Sequence, residues 1–131
     1  MIVGKDARDR SSMDVVPRVT FTDPQVSAVG LTTAQARDRG LRVRTVEYGT
    51  GDVPGAYTQG TGAGGTSVLV VDEDAGVIVG ATFTGRHTQE LLHAATIAIT
   101  ARVPLQELWH AVPAFPTVSE IWLRLLEAYG L

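Results

Sequence analysis

The chain contains no cysteine. That excludes a disulfide framework, a thiolate nucleophile, a redox-active pair and a cysteine-based zinc site within these residues. No apolar run is long enough to span a bilayer. The formal net charge is only −3, which gives no electrostatic footprint for nucleic acid or an anionic membrane. Neither partner is expected. Residues 1–14 lack the apolar stretch of a secretory signal, so the expected location is cytoplasmic.

What is present fits one globular domain. A chain of 131 residues with 44% hydrophobic and 19% charged residues can bury a single core. Residues 1–16 are polar and aperiodic and read as a connector. Arg18–Thr22 and Gln25–Gly30 read as short strands around an Asp23-Pro24 turn. Thr32-Thr33-Ala34-Gln35 has capping-box form, with Leu31 and Ala36 placed as a hydrophobic staple and Gly40 as the helix stop. Leu41–Val46 alternates like a half-wet strand. Residues 49–65, rich in Gly, Thr and Pro, read as a long loop. Thr66–Val71 and Val77–Thr84 flank an Asp72–Gly76 turn as a hairpin of central strands. His87–Arg102 reads as a well-buried helix, Pro104–His110 as a short one, and Ala111–Pro116 as extended. A last helix runs from Thr117 to about Tyr129. This order predicts an α+β fold: a mainly antiparallel sheet of about five strands with flanking helices.

Three patterns bear on function. Gly60-Thr61-Gly62-Ala63-Gly64-Gly65 matches G-x-G-x-x-G, but a strand follows it where a dinucleotide site needs a helix. It reads as a loop. His87, His93 and His110 have no metal-ligand spacing. His110 lies five residues before Phe115 and could act as a base there only by folding back. The last helix carries Val118, Ile121, Trp122, Leu123, Leu125, Leu126 and Tyr129 on more than one stripe. It needs a second apolar partner beyond its own sheet.

Phe115-Pro116-Thr117-Val118-Ser119-Glu120 resembles the His-Pro-Thr-x-Ser-Glu signature that closes the C-terminal dimerisation domain of FAD-dependent pyridine nucleotide-disulfide oxidoreductases. Dihydrolipoamide dehydrogenase, glutathione reductase and mercuric reductase are members. Phe21-Thr22-Asp23-Pro24, Val29-Gly30-Leu31, Gly80-Ala81 with Gly85, and Ala98-Ile99 match the family in order, so the resemblance covers Pro17 to Glu127. It implies an interface domain over 17–131, with 1–16 as the tail of a preceding FAD domain. It implies a homodimer whose Phe115 and Pro116 backbone lies beside the partner subunit's flavin. It also implies FAD and NAD(P) in a full-length parent, with neither expected on this chain alone.

The family's acid–base histidine is Phe115 here, and a phenyl ring carries no titrating proton. Pro113 stands where some relatives carry a second histidine. Glu120, the family's partner to that histidine, retains a candidate catalytic role. By spacing it also closes a capping box with Thr117. The chain alone is expected to be non-catalytic. Two other readings stay open: a stand-alone, non-catalytic dimerisation or binding module, and an unrelated α+β ligand-binding domain with the glycine loop as its lid.

Overall fold

A computed structural model describes residues 12–131. The expected tail thus lies outside the described residues except for its last five. Ten elements follow a short 3-10 turn at Met13–Val15: β1 (Arg18–Thr20), β2 (Gln25–Gly30), α1 (Thr33–Asp38), β3 (Val43–Gly49), α2 (Pro54–Tyr57), β4 (Thr66–Asp72), β5 (Val77–Gly85), α3 (Gln89–Thr100), α4 (Leu105–His110) and α5 (Ile121–Tyr129). The strands form one sheet in the order β1-β2-β5-β4-β3. Every pairing is antiparallel. The fold is the expected α+β arrangement, and the hairpin strands β4 and β5 are interior ones.

Local chemistry sets the elements. At α1 the Thr32 N–H donates to Gln35 Oε1 at 2.9 Å and the Gln35 N–H donates to Thr32 Oγ1 at 3.2 Å. Gly40 follows with φ +78° and Gly130 ends α5 with φ +113°, backbone that a side chain would oppose. Asp72 Oδ1 shapes the hairpin by accepting from the Asp74 and Ala75 N–H groups. Leu105 N–H donates to Gly76 O, which fastens the start of α4 to that turn.

Alternation sends Ser27 and Val29, Ala81 and Phe83, Ser67 and Leu69, and Val46 to the buried face of the sheet. Helices α3 and α5 cover that face. Phe83, Leu69, Ile78, Ile121 and Leu125 are buried at its centre, and the Phe83 ring meets Trp122 at 5.7 Å between centroids. The staple pair Leu31 and Ala36 packs with Val70 in a smaller cluster on the other face.

Three expectations need correction. β1 stops at Thr20, so Phe21 and Thr22 lie outside it, and Phe21 is exposed. The glycine-rich stretch is not all loop: it holds a 3-10 turn at Thr50–Asp52 and the helix α2, because Pro54 supplies a first helical residue whose missing N–H costs nothing there. The long helix is also less buried than its composition implies. Leu91, Leu92, Ala95 and Ala98 face the core, whereas Ala94 and Ile97 face solvent. A helix lying on a sheet buries one stripe only, so its second apolar stripe is left uncovered by the described residues.

Candidate functional site

The site begins where α4 ends. The expected extended run is interrupted: from Ala111 the chain passes without helix or strand through Pro113 and Ala114, bends at Ala111 and again over Phe115–Thr117, and reaches a 3-10 turn at Val118–Glu120 that leads straight into α5. Prolines at 113 and 116 fix φ and remove backbone donors, so the segment can join neither a helix nor a sheet ladder. The Phe115–Pro116 peptide is cis.

Phe115 points outward and is 76% exposed. Among the described residues no group donates to its carbonyl, which is therefore free to accept a hydrogen bond from another molecule. Thr117 Oγ1 donates to the preceding carbonyl, that of Ala114.

Glu120 faces the other way and is only 7% exposed. Its Oε2 accepts from the Thr117 N–H at 3.1 Å, which completes the expected capping box, and from the Gly55 N–H at 3.2 Å. One buried carboxylate thus ties α2 to the root of the Phe115 segment. The fit is close: a Cβ on Gly55 would stand 1.9 Å from the carbonyl carbon of Thr117, so only glycine allows the contact. This link was not foreseen, since 65 residues separate its ends. Its one local signal was Pro54 preceding a glycine.

Around the exposed segment the surface is apolar. A groove of about 180 Å³ lies between α3, α4 and α5, lined by Ala94, Leu108, Ala111, Pro113, Ser119 and Trp122. Val112, between Ala111 and Pro113 in sequence, is 84% exposed. His110 ends α4, exposed, and no hydrogen bond among the described residues joins it to Phe115 or Glu120. His93 is exposed on α3, and His87 precedes that helix with φ +56°. No group of three or more His, Asp or Glu side chains able to hold a metal occurs among the described residues. The glycine loop opens into β4, without a helix after it.

The arrangement thus presents an exposed aromatic side chain with no titrating group at position 115, on a residue whose carbonyl accepts no hydrogen bond among the described residues. Chemically it can position and shield; position 115 can neither donate nor take a proton.

Comparison with known proteins bears on the domain as a whole. The family model described as "Pyridine nucleotide-disulphide oxidoreductase, dimerisation domain" matches residues 16–125. A dihydrolipoyl dehydrogenase of Synechocystis sp. is 36% identical over 119 residues, covering 87% of this chain and 24% of that protein. A mercuric reductase of Staphylococcus aureus is 29% identical over 114 residues, covering 87% of this chain and 21% of its own length. The solved structure of the HOCl-induced flavoprotein disulfide reductase RclA from Escherichia coli superposes with a TM-score of 0.83 at 25% identity, over 96% of this chain and 29% of that one. The chain spans about a quarter of the length of such relatives. These matches exclude the reading as an unrelated ligand-binding domain: the chain belongs to the dimerisation-domain family of the pyridine nucleotide-disulphide oxidoreductases.

Proposed function

We propose that this chain is the interface domain of a larger FAD-dependent NAD(P)H oxidoreductase, forming its homodimer and completing the flavin site of the partner subunit. The observation that carries the reading is the Phe115–Pro116 segment, exposed at its tip with an unpartnered carbonyl and clamped at its base by Glu120.

FAD, when bound in the parent, supplies the two-electron carrier between NAD(P)H and an acceptor. The Phe115 carbonyl would accept a hydrogen bond from the flavin ring, and Pro116 would hold the angle of that carbonyl. This contact needs no particular side chain, so it survives the replacement of histidine. Glu120, with its carboxylate committed to two backbone donors, serves by positioning the segment. Proton delivery from position 115 is lost, so an acceptor that depends on it is not expected.

Residues 17–131 form the domain and 1–16 the trailing end of a preceding FAD domain; the start of the family match at residue 16 supports that boundary. The proposed location is cytoplasmic, and no helix among the described residues is long and apolar enough to cross a membrane.

Sedimentation equilibrium of the chain tests the core of this reading. A reversible dimer is expected, and a strict monomer at the highest attainable concentration would overturn it. Immunodetection in the source cells separates the parent enzyme from the stand-alone module. A species several-fold heavier than 13.9 kDa is expected, and one at that mass would favour the module.

A further inference from the structure

We propose that the hollow between the β1–β2 turn and the β5–α3 turn binds a small zwitterion of the α-amino acid class. The hollow shares no residue with the Phe115 segment or the Glu120 clamp, so the inference stands apart from the homodimer reading.

The hollow has a volume of about 310 Å³ and is lined by Thr22, Asp23, Gln25, Arg86 and His87. Its two turns are far apart in sequence. The β2–β5 pairing brings them together, with Gln25 opposite Gly85. Every lining side chain is polar, and Asp23, Arg86 and His87 are groups that carry or can take charge. Placed polar groups of this kind fix the orientation of a small ligand.

Three observations point to a ligand with both charges. First, the charges of the hollow are not engaged with each other. Asp23 and Arg86 both line it, yet neither forms an ion pair among the described residues. A carboxylate and a guanidinium that share a hollow without pairing leave room for a molecule carrying an ammonium and a carboxylate. The planar fork of Arg86 suits the carboxylate, and Asp23 can accept from the ammonium.

Second, Gln25 has its Oε1 buried with no hydrogen-bond partner among the described residues. Such groups are rare in folded proteins, and each one calls for an explanation. A ligand beside this amide supplies one. Third, His87 holds φ +56°. The turn into α3 needs that left-handed conformation, which glycine adopts with less strain. A histidine at this position, exposed and lining the hollow, serves something other than the turn. Its ring N–H can donate to a carboxylate beside Arg86.

The glycine-rich loop helps to hold Arg86. A Cβ on Gly62 would stand 3.5 Å from Arg86 Nη2, so the guanidinium lies against that glycine. The root of the loop is fixed, because the Thr50 N–H donates to Gly65 O at 2.9 Å and a Cβ on Gly65 would clash with Thr84 O. An arginine resting on a fixed surface has less freedom to lose on binding.

The probe is L-glutamate, whose two carboxylates match Arg86 and His87 and whose ammonium matches Asp23. Titrating the nitrogen-15-labelled chain by NMR should give saturable shifts confined to residues 22–25 and 85–89. Glutarate, which lacks the ammonium, should bind about five-fold more weakly, the scale of one exposed ion pair. Asp23→Asn should remove that difference by weakening L-glutamate alone, and Arg86→Gln should weaken both ligands. Arg37→Gln, on the exposed side of α1, should change neither. Shifts that never saturate, or that spread over the surface, would overturn the site. Glutarate binding as tightly as L-glutamate would leave a plain anion site and overturn the zwitterion. The same spectra report whether each variant is folded, and all three substituted residues are exposed.

Discussion

Position 115 carries a phenyl ring, exposed and without a titrating proton, and position 120 a carboxylate that is buried. What keeps Glu120 in place is visible in its own hydrogen bonds. Its buried carboxylate accepts from the Gly55 and Thr117 N–H groups at 3.2 and 3.1 Å, and charge-assisted bonds to backbone are among the stronger ones. Replacing Glu120 by alanine leaves two donors unpaired beside a well-packed glycine. We expect a loss of about 2–3 kcal/mol in urea unfolding, with α2 and the 113–117 segment losing amide protection together. If Glu120→Ala unfolds at the wild-type midpoint, the clamp carries no weight. The capping half of this pair was legible as Thr-x-x-Glu. The Gly55 half was not, because no short-range pattern connects residues 65 apart.

At the scale of elements, periodicity located every strand and the four longer helices. It missed α2, whose four residues are too few to show a period. It also overstated the burial of α3 for a physical reason: apolar residues around a helix report how many partners it wants, not how many lie in its own chain. For α5 the expected need of an outside partner is not met in this way: its large apolar residues are buried or half-buried, and Trp122, Tyr129 and Leu131 pack against the core of the same chain.

The Met13–Val15 turn offers a test of how the entering segment docks. Arg39 donates two hydrogen bonds to the Asp14 carboxylate, at 2.6 and 2.8 Å. These bonds, aided by the Arg39 charge and opposed by slight desolvation, hold the Asp14 carboxyl below the usual range. Because the folded chain binds that proton less tightly, the pair favours docking above the ordinary carboxylate range. Its contribution fades as pH falls through the lowered value. Carbon-detected NMR titration should give Asp14 a midpoint below that of a free aspartate, and Arg39→Gln should return it to the ordinary value. An unshifted Asp14 in the wild type would mean the turn is not held by this pair. The effect on global stability is expected to be small and salt-sensitive, since both groups are exposed.

For the whole molecule, association and stability are linked. If the apolar surface around the Phe115 segment is buried only in a dimer, mass action makes the folded state more stable as concentration rises. The thermal midpoint of the wild type should climb with protein concentration over the range in which the dimer forms, and that of Val112→Asp should stay flat. A concentration-independent wild-type midpoint would contradict the dimer at this scale. The sequence by itself determined the fold class, the antiparallel hairpin, the helix caps, the family and the want of a titrating group at position 115. All of these rest on local chemistry or ordered spacing along the chain. Tertiary structure alone decided that Glu120 turns inward to Gly55, that Phe115 stands exposed, and that Ala94 of α3 meets Ala111 and Pro113 in one groove. Those outcomes depend on which distant residues packing brings together, and neither propensity nor periodicity encodes that.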